Sequence, residues 1–377
     1  MKNEKMADAL EFPTDDNSIS IYIHIPFCER KCSYCAFVSF CLSKIDREKY
    51  IQALLEEIES FSTVKRVKTI YLGGGTPSLL TKEEVFSIFR KLREKFDIDE
   101  NAEITIEVNP NSVEEDKLRV YNEVGVNRIS VGVQSLSNKS LKSIGRLHTK
   151  KEAIEKLKLI GKYFDNISAD LIIGLSGEKS VTKYAKNLIK LNIKHLSSYM
   201  LEVHENTKLY FEVRDKKYCP LDEIGVTKSY DKLVKFLKKH GFVQYEVSNF
   251  ALAGYESKHN LNYWSYGEYV GFGVSSHSFL NGKRIANSGM LQGYYKHERK
   301  EEKITKSMEI EERIMLGLRC YLGVDIAVLK SLGYDIKKNE CYQKFLNADV
   351  IYEDNDKFYL RPEYYKFSDY YILNLLP

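Results

Sequence analysis

Residues 19–37 read ISIYIHIPFCERKCSYCAF. The β-rich run Ile19 to Ile25 predicts a strand, and Cys28, Cys32 and Cys35 follow at its exit. Three soft thiolates in so short a loop suit a metal cluster. Four-iron clusters are usually held by four cysteines, so three leave one iron open for a ligand that is not protein. The alternative is zinc completed by His24 or Cys41, since zinc accepts mixed nitrogen and sulfur ligands. Structural zinc sites usually pair their ligands as two knuckles, and no second close cysteine pair occurs in the chain.

Outward from this loop, β-rich runs alternate with amphipathic helical stretches, the pattern of parallel strands joined by helical crossovers. Strands are expected at 19–25, 67–72, 104–108, 128–133, 167–173 and 195–201, with helices around 46–61, 82–96, 113–124, 150–164 and 181–191. Thr81 with Glu84, Ser112 with Glu115 and Thr149 with Glu152 have the spacing of capping boxes, which would fix three helix starts. Six βα units make an incomplete TIM-like (βα)6 barrel, an α/β fold in which ligands gather where the βα loops converge, at the carboxyl ends of the strands. A helix at 222–239 leads to a smaller, mostly α-helical or α+β C-terminal domain with a helix near 311–320. The expected division is a tail at 1–17, the barrel core at 18–215, a barrel extension at 216–300 and a C-terminal domain at 301–377.

The polar residues of interest fall at those strand ends. Gly73-Gly-Gly-Thr-Pro77 follows the second strand, and three successive glycines let backbone approach a ligand closely. Glu107 closes the third strand, Gln134 follows the fourth and Asp170 lies in the fifth. Each would cost stability if buried without a partner. With Arg146 they supply the carboxylates and donors that a ribose, a carboxylate and an adenine require. His24, His148 and His277 are ambiguous between structural and functional roles.

The chain has 377 residues, 43% of them hydrophobic, enough for a core domain with an appendage. A net charge of +4, dispersed along the sequence, argues against nucleic acid as the main partner. The remaining cysteines are scattered and the total of seven is odd, which speaks against a disulfide framework and for a reducing, cytoplasmic setting. No apolar run approaches the ~18 to 20 residues of a membrane span, which leaves room for peripheral membrane contact only.

Tyr22-Ile-His-Ile-Pro-Phe-Cys28 with its two further cysteines, GGGTP at 73–77, GVQS at 132–135, Gly145-Arg-Leu-His148 and Asp170-Leu-Ile-Ile-Gly-Leu175 together resemble the oxygen-independent coproporphyrinogen III oxidase family of radical S-adenosylmethionine (SAM) proteins. The resemblance spans almost the whole chain. It implies a [4Fe-4S] cluster on Cys28, Cys32 and Cys35, and SAM held by Tyr22, Tyr34, Gly74, Gly75, Thr76, Glu107, Gln134, Arg146 and Asp170. Within the family, true oxidases usually carry a further cysteine where this chain has Phe37, and a longer N-terminal arm. Tyr245-Glu-Val-Ser-Asn-Phe250 followed by His259-Asn-Leu-Asn-Tyr-Trp264 is similar instead to the HNLxYW element of the heme-chaperone, HemW-type branch.

Imidazole is a common axial ligand of heme iron, and aromatic faces suit a flat macrocycle. Read locally, His259 would hydrogen-bond a loop while Tyr263 and Trp264 pack a junction between domains; the resemblance assigns His259 to heme. It implies a heme chaperone that passes heme to an apo-hemoprotein, respiratory acceptors included, and it leaves room for a homodimer. The alternative is the oxidase reaction, oxidative decarboxylation of coproporphyrinogen propionates. Ser176 and Glu178 stand where the family commonly has Pro and Gln, a departure beside the expected adenine pocket.

Overall fold

The computed structural model describes residues 17–178 and 180–377, so the expected tail at 1–17 lies outside the described residues but for Asn17. Strands β1 (Ser18–Ile25), β2 (Arg66–Gly74), β3 (Ile98–Val108), β4 (Arg128–Gln134), β5 (Asn166–Ile173) and β6 (His195–Met200) lie side by side in chain order. Each runs parallel to the next. The crossovers carry helices α1 (Arg47–Ser60), α2 (Lys82–Lys95), α3 (Glu115–Glu123), α4 (Lys150–Ile160) and α5 (Val181–Ile189). This is the expected incomplete (βα)6 barrel.

The arc continues past both of its edges into a twelve-stranded mixed sheet. Strand β7 (Tyr269–Phe272) lies parallel to β1 and leads to three antiparallel strands. On the other side Asn249–Ala251 pairs antiparallel with β6, and Val243–Gln244 pairs antiparallel with Asn249–Ala251. Both extensions come from the segment after helix α6 (Glu223–Lys239).

Strand alternation divides the barrel into two environments. Ile19, Ile21, Ile23 and Ile25 of β1, Ile70 and Leu72 of β2, and Ile129, Val131 and Val133 of β4 are buried in one core with helix residues such as Leu54, Ile88 and Leu157. Each such side chain contributes about 1.5–3 kcal/mol on burial. The alternate positions are polar and turn inward, where Ser20 meets Thr69, Tyr71 meets Glu107, Ser130 meets Asp170 and Ser168 meets His195. An interior this polar is a lined chamber, unlike the branched apolar fill of a closed TIM barrel.

Two capping boxes form as the sequence suggests, at Thr81 and Thr149. The third does not. Pro110 opens a 3-10 turn over Pro110–Ser112, the Ser112 hydroxyl is spent on the Asn109 carbonyl and Ser78, and α3 begins only at Glu115. The helix expected near 311–320 runs from Lys306 to Gly317, because Thr305 caps it early and Gly317 packs against the backbone of Gly323. That helix opens a separate core of Ile310, Ile314, Leu329, Tyr342 and Phe358, shared with a three-stranded antiparallel sheet.

Candidate functional site

The cysteine loop is clasped from two sides. Ser33 donates its backbone N–H to the Ile144 carbonyl and accepts that of Leu209, while the Arg30 guanidinium bonds the Gly145 carbonyl at 2.7 Å. Cys28 is buried with its sulfur 3.7 Å from Thr76 Oγ1, and Cys32 Sγ is 3.8 Å from Arg146 Nη1. Burial pushes the Cys28 and Cys35 thiols up. His24 is committed elsewhere: its Nε2 bonds the Val38 carbonyl at 2.8 Å, which leaves Nδ1 to accept from the Tyr22 hydroxyl at 3.0 Å. Cys41 sits opposite Cys28 in a two-residue parallel pairing.

The glycine turn is demanded by its neighbours. Gly74 holds a φ of +111°, and a Cβ there would lie 2.5 Å from the His24 ring. A Cβ on Gly75 would lie 2.7 Å from the Phe27 carbonyl oxygen, so the turn lies flush against the strand that delivers the first cysteine. The Gly74 N–H donates to Glu107 Oε2 at 3.1 Å, and the Tyr71 hydroxyl donates to Oε1 at 2.8 Å. Burial, with Asp170 also nearby, still pushes the Glu107 carboxyl up to about 7. Asp170 is pushed up to about 6 by burial, against the hydroxyls of Ser197 and Ser130.

Gln134 ends β4 with a φ of +61° at a register shift, which turns its amide back toward the chamber. A Cβ on Gly132 would meet Asn109 Oδ1, Gln134 Nε2 and Arg146 Nη2 within 3.0–3.3 Å, so these three groups converge there. Arg146 Nη2 donates to Asn109 Oδ1 and to the Gly132 carbonyl, and its buried Nε has no partner. Tyr34 lies beside Arg146 and is pushed up by burial. His148 is structural, bonding the Val133 carbonyl; His277 is exposed on a sheet extension. Glu178, one of the departures from the family pattern, accepts the Gly174 N–H at 3.0 Å.

A cavity of ≈ 300 Å³ is lined by Tyr22, Phe37, Tyr71, Gly74, Glu107, His259, Asn260 and Tyr263, while Cys32, Thr76, Asn109 and Arg146 line a separate cleft. His259 enters on helix α7 (Lys258–Trp264), whose first N–H groups are held by Ser257 and by the Glu103 carboxylate at 3.0 Å. The ring is buried, stacked on Tyr71 at 5.0 Å, with Nδ1 2.7 Å from Thr69 Oγ1 and Nε2 2.8 Å from the Tyr263 hydroxyl. Burial, with Arg128 behind it, holds His259 down to about 3. Trp264 instead packs with Tyr245, Leu261 and Cys320, at the junction with the C-terminal unit.

Glu107 and His259 were legible in the sequence, but Thr69, Tyr71 and Glu103, which hold them, were not. Their signal is the strand period: Thr69, Tyr71, Glu103 and Thr105 interrupt otherwise apolar strands at every second residue. Among the described residues no helix is long and apolar enough to cross a membrane.

Known proteins resemble this chain in sequence and in fold. The radical SAM superfamily pattern matches residues 22–182. The chain is 33% identical to the heme chaperone HemW of Lactococcus lactis over 354 residues, covering 90% of this chain and 93% of the relative. It is 36% identical to the heme chaperone HemW of Bacillus subtilis, over 81% and 84%. The structure of coproporphyrinogen III oxidase (HemN) from Escherichia coli superposes with a TM-score of 0.79 at 20% identity, over 95% of this chain and 90% of that one, which establishes the shared fold. With 33% identity along nearly the whole length of a heme chaperone HemW, the chain belongs to the HemW family of radical SAM proteins.

Proposed function

We propose that the protein is a heme chaperone that binds heme, a [4Fe-4S] cluster and SAM, and passes heme to an apo-hemoprotein. The observation that carries this reading is the shared cavity. Glu107 and Gly74, the residues suited to the amino acid part of SAM, and His259, the residue suited to heme iron, face the same ≈ 300 Å³ space. That volume lies at the low end of ligand pockets, about 300–1,000 Å³. It fits SAM or one edge of a macrocycle, and Phe37, 68% exposed, offers an apolar rim for the rest.

The side chains fit each group. Cys28, Cys32 and Cys35 would hold three irons of the cluster, beside an arginine that tempers thiolate charge. Glu107 would accept an ammonium, the Gly74–Gly75 backbone admits close approach, and the unpartnered Nε of Arg146 is free to meet a polar ligand atom. Asp170, with Ser130 and Ser197, would receive hydroxyls of a ribose. The cluster and SAM supply one-electron chemistry when bound; the chain's part is to orient and desolvate. On this reading 18–215 holds the cluster and SAM, 216–300 brings His259, and 301–377 is the C-terminal domain.

Anaerobically reconstituted protein titrated with heme should give a saturable Soret band, and with coproporphyrinogen III, reductant and SAM it should form no protoporphyrinogen IX. Accumulation of protoporphyrinogen IX would overturn the chaperone reading in favour of the oxidase.

A further inference from the structure

We propose that His259 is a capped ligand: Thr69 fixes its ring with Nε2 unprotonated, and the Tyr263 hydroxyl occupies that nitrogen until heme iron replaces it. This deepens the heme-binding reading and rests on it.

The tautomer follows from a chain of hydroxyls. Thr69 Oγ1 donates its one proton to Ser20 Oγ at 2.8 Å, so toward His259 Nδ1, 2.7 Å away, it can only accept. Nδ1 of the neutral ring therefore carries the hydrogen and Nε2 the lone pair. Nε2 accepts in turn from the Tyr263 hydroxyl at 2.8 Å. Metal-bound histidines are commonly oriented in this way, with the other ring nitrogen donating to a fixed acceptor. Here the acceptor is on β2, in the wall of the barrel, and Ser20 on β1 anchors it.

The cap comes from the histidine's own helix. Tyr263 is four residues after His259, so one turn of α7 brings its hydroxyl over the imidazole. Its ring meets the His259 ring edge-on at 4.9 Å and packs against Tyr269 at 4.6 Å. Both His259 and Tyr263 line the cavity, so the bond between them is at its wall and the tyrosine has space to leave. Exchange breaks one O–H···N hydrogen bond and forms one nitrogen–iron bond; the proton stays on the tyrosine oxygen. Thr69 is a positioning residue in this scheme, since it acts through His259.

The test is anaerobic heme titration of the full chain and its Tyr263→Phe, Thr69→Val, Thr69→Ser and His259→Ala variants, with cluster absorbance and melting temperature recorded for each. Removing the cap should leave the heme spectrum unchanged and tighten binding about 2- to 10-fold, the worth of one hydrogen bond. Thr69→Val should weaken binding about 10- to 100-fold, and Thr69→Ser should restore it, which a purely packing role for the methyl group would not produce. Loss of the Soret band in Tyr263→Phe with retention in His259→Ala would make the phenol the ligand and overturn the proposal. Wild-type affinity in both Thr69→Val and Tyr263→Phe, with binding abolished in His259→Ala, would overturn the cap and tautomer while sparing the heme reading. Unchanged binding in His259→Ala alone would sink that underlying reading.

Discussion

Tyr71 donates its hydroxyl to Glu107 across neighbouring strands, 2.8 Å from Oε1, while the face of the same ring stacks on His259 at 5.0 Å. One side chain thus touches both the carboxylate proposed for SAM and the imidazole proposed for heme. Its burial in the chamber raises the phenol well above its ordinary value, so it acts as a donor and not as an anion. The two proposed ligands are coupled through a ring whose position either one could shift.

Tyr71→Phe separates the two contacts. The ring and its stacking survive, but Glu107 loses one of its two donors. SAM affinity should fall about 5-fold, the value of roughly 1 kcal/mol, with the Soret position of bound heme unchanged. Calorimetric titration with SAM, in the presence and absence of heme, measures this; equal SAM affinity in variant and parent would remove Tyr71 from the SAM site.

Glu107 makes ligand-free stability depend on pH. Its folded value of about 7 lies above the ordinary 4.5, because burial disfavours the charge. A carboxyl raised in this way holds its proton longer folded than unfolded, so its contribution is complete below about pH 4.5 and is lost as pH rises through about 7. Glu107→Gln is neutral throughout and escapes that loss. The variant should melt higher than the parent at pH 8, by the equivalent of about 1–3 kcal/mol, and no higher at pH 4.5. SAM binding should weaken in the same variant. A melting difference that stays constant between the two pH values would contradict the assignment.

The barrel was legible because each βα unit carries its own local signals: apolar runs for the strands, and Thr81 and Thr149 caps for two helices. The failure at Ser112 has a local cause too, since the proline at 110 sets a 3-10 turn that takes the serine hydroxyl before a helix can use it. The grouping of Cys28, Gly74, Glu107 and Asp170 toward one end of the barrel was legible because barrel topology alone brings the carboxyl-terminal halves of the strands together. The partners of His259 were not. Thr69 and Glu103 come from two strands whose meeting with His259 depends on how α7 docks against β2 and β3, and no spacing within 258–264 encodes that docking; only Tyr263, one turn after His259 on the same helix, was within reach of the sequence. The sheet extensions were likewise hidden, because their short strands gain regularity only by pairing with β1 and β6.

Cys28 and Cys41 should behave differently despite facing each other in register. Cys28 is buried against Thr76 at the base of the glycine turn, whereas Cys41 leads away from the loop into a 3-10 turn before α1. Cys28→Ser should cost the reconstituted protein its brown absorbance and most of its iron while leaving the barrel core intact. Cys41→Ser should retain both. Iron analysis and the visible spectrum of anaerobic preparations decide the matter, and loss of iron in the Cys41 variant would make it part of the cluster site.

Glu103 is the remaining determinant of where His259 points. Its carboxylate accepts the backbone N–H groups of Lys258 and His259 and lies 3.4 Å from the Ser257 hydroxyl, so it closes the first turn of α7 from within the barrel wall. A negative charge at a helix start also meets the positive end of the helix dipole. Replacing it by alanine leaves those buried donors without an acceptor, a loss of about 1–3 kcal/mol. The melting temperature of Glu103→Ala should fall accordingly, and amide hydrogen exchange should accelerate in residues 257–264 ahead of the strands. Heme affinity should drop with it, because the imidazole is aligned with Thr69 only while that first turn is held. Exchange that stays slow across 257–264 would mean that α7 is secured by the packing of Leu261 and Trp264 on Tyr245 and Cys320 alone, and that the carboxylate serves only the interior charge balance.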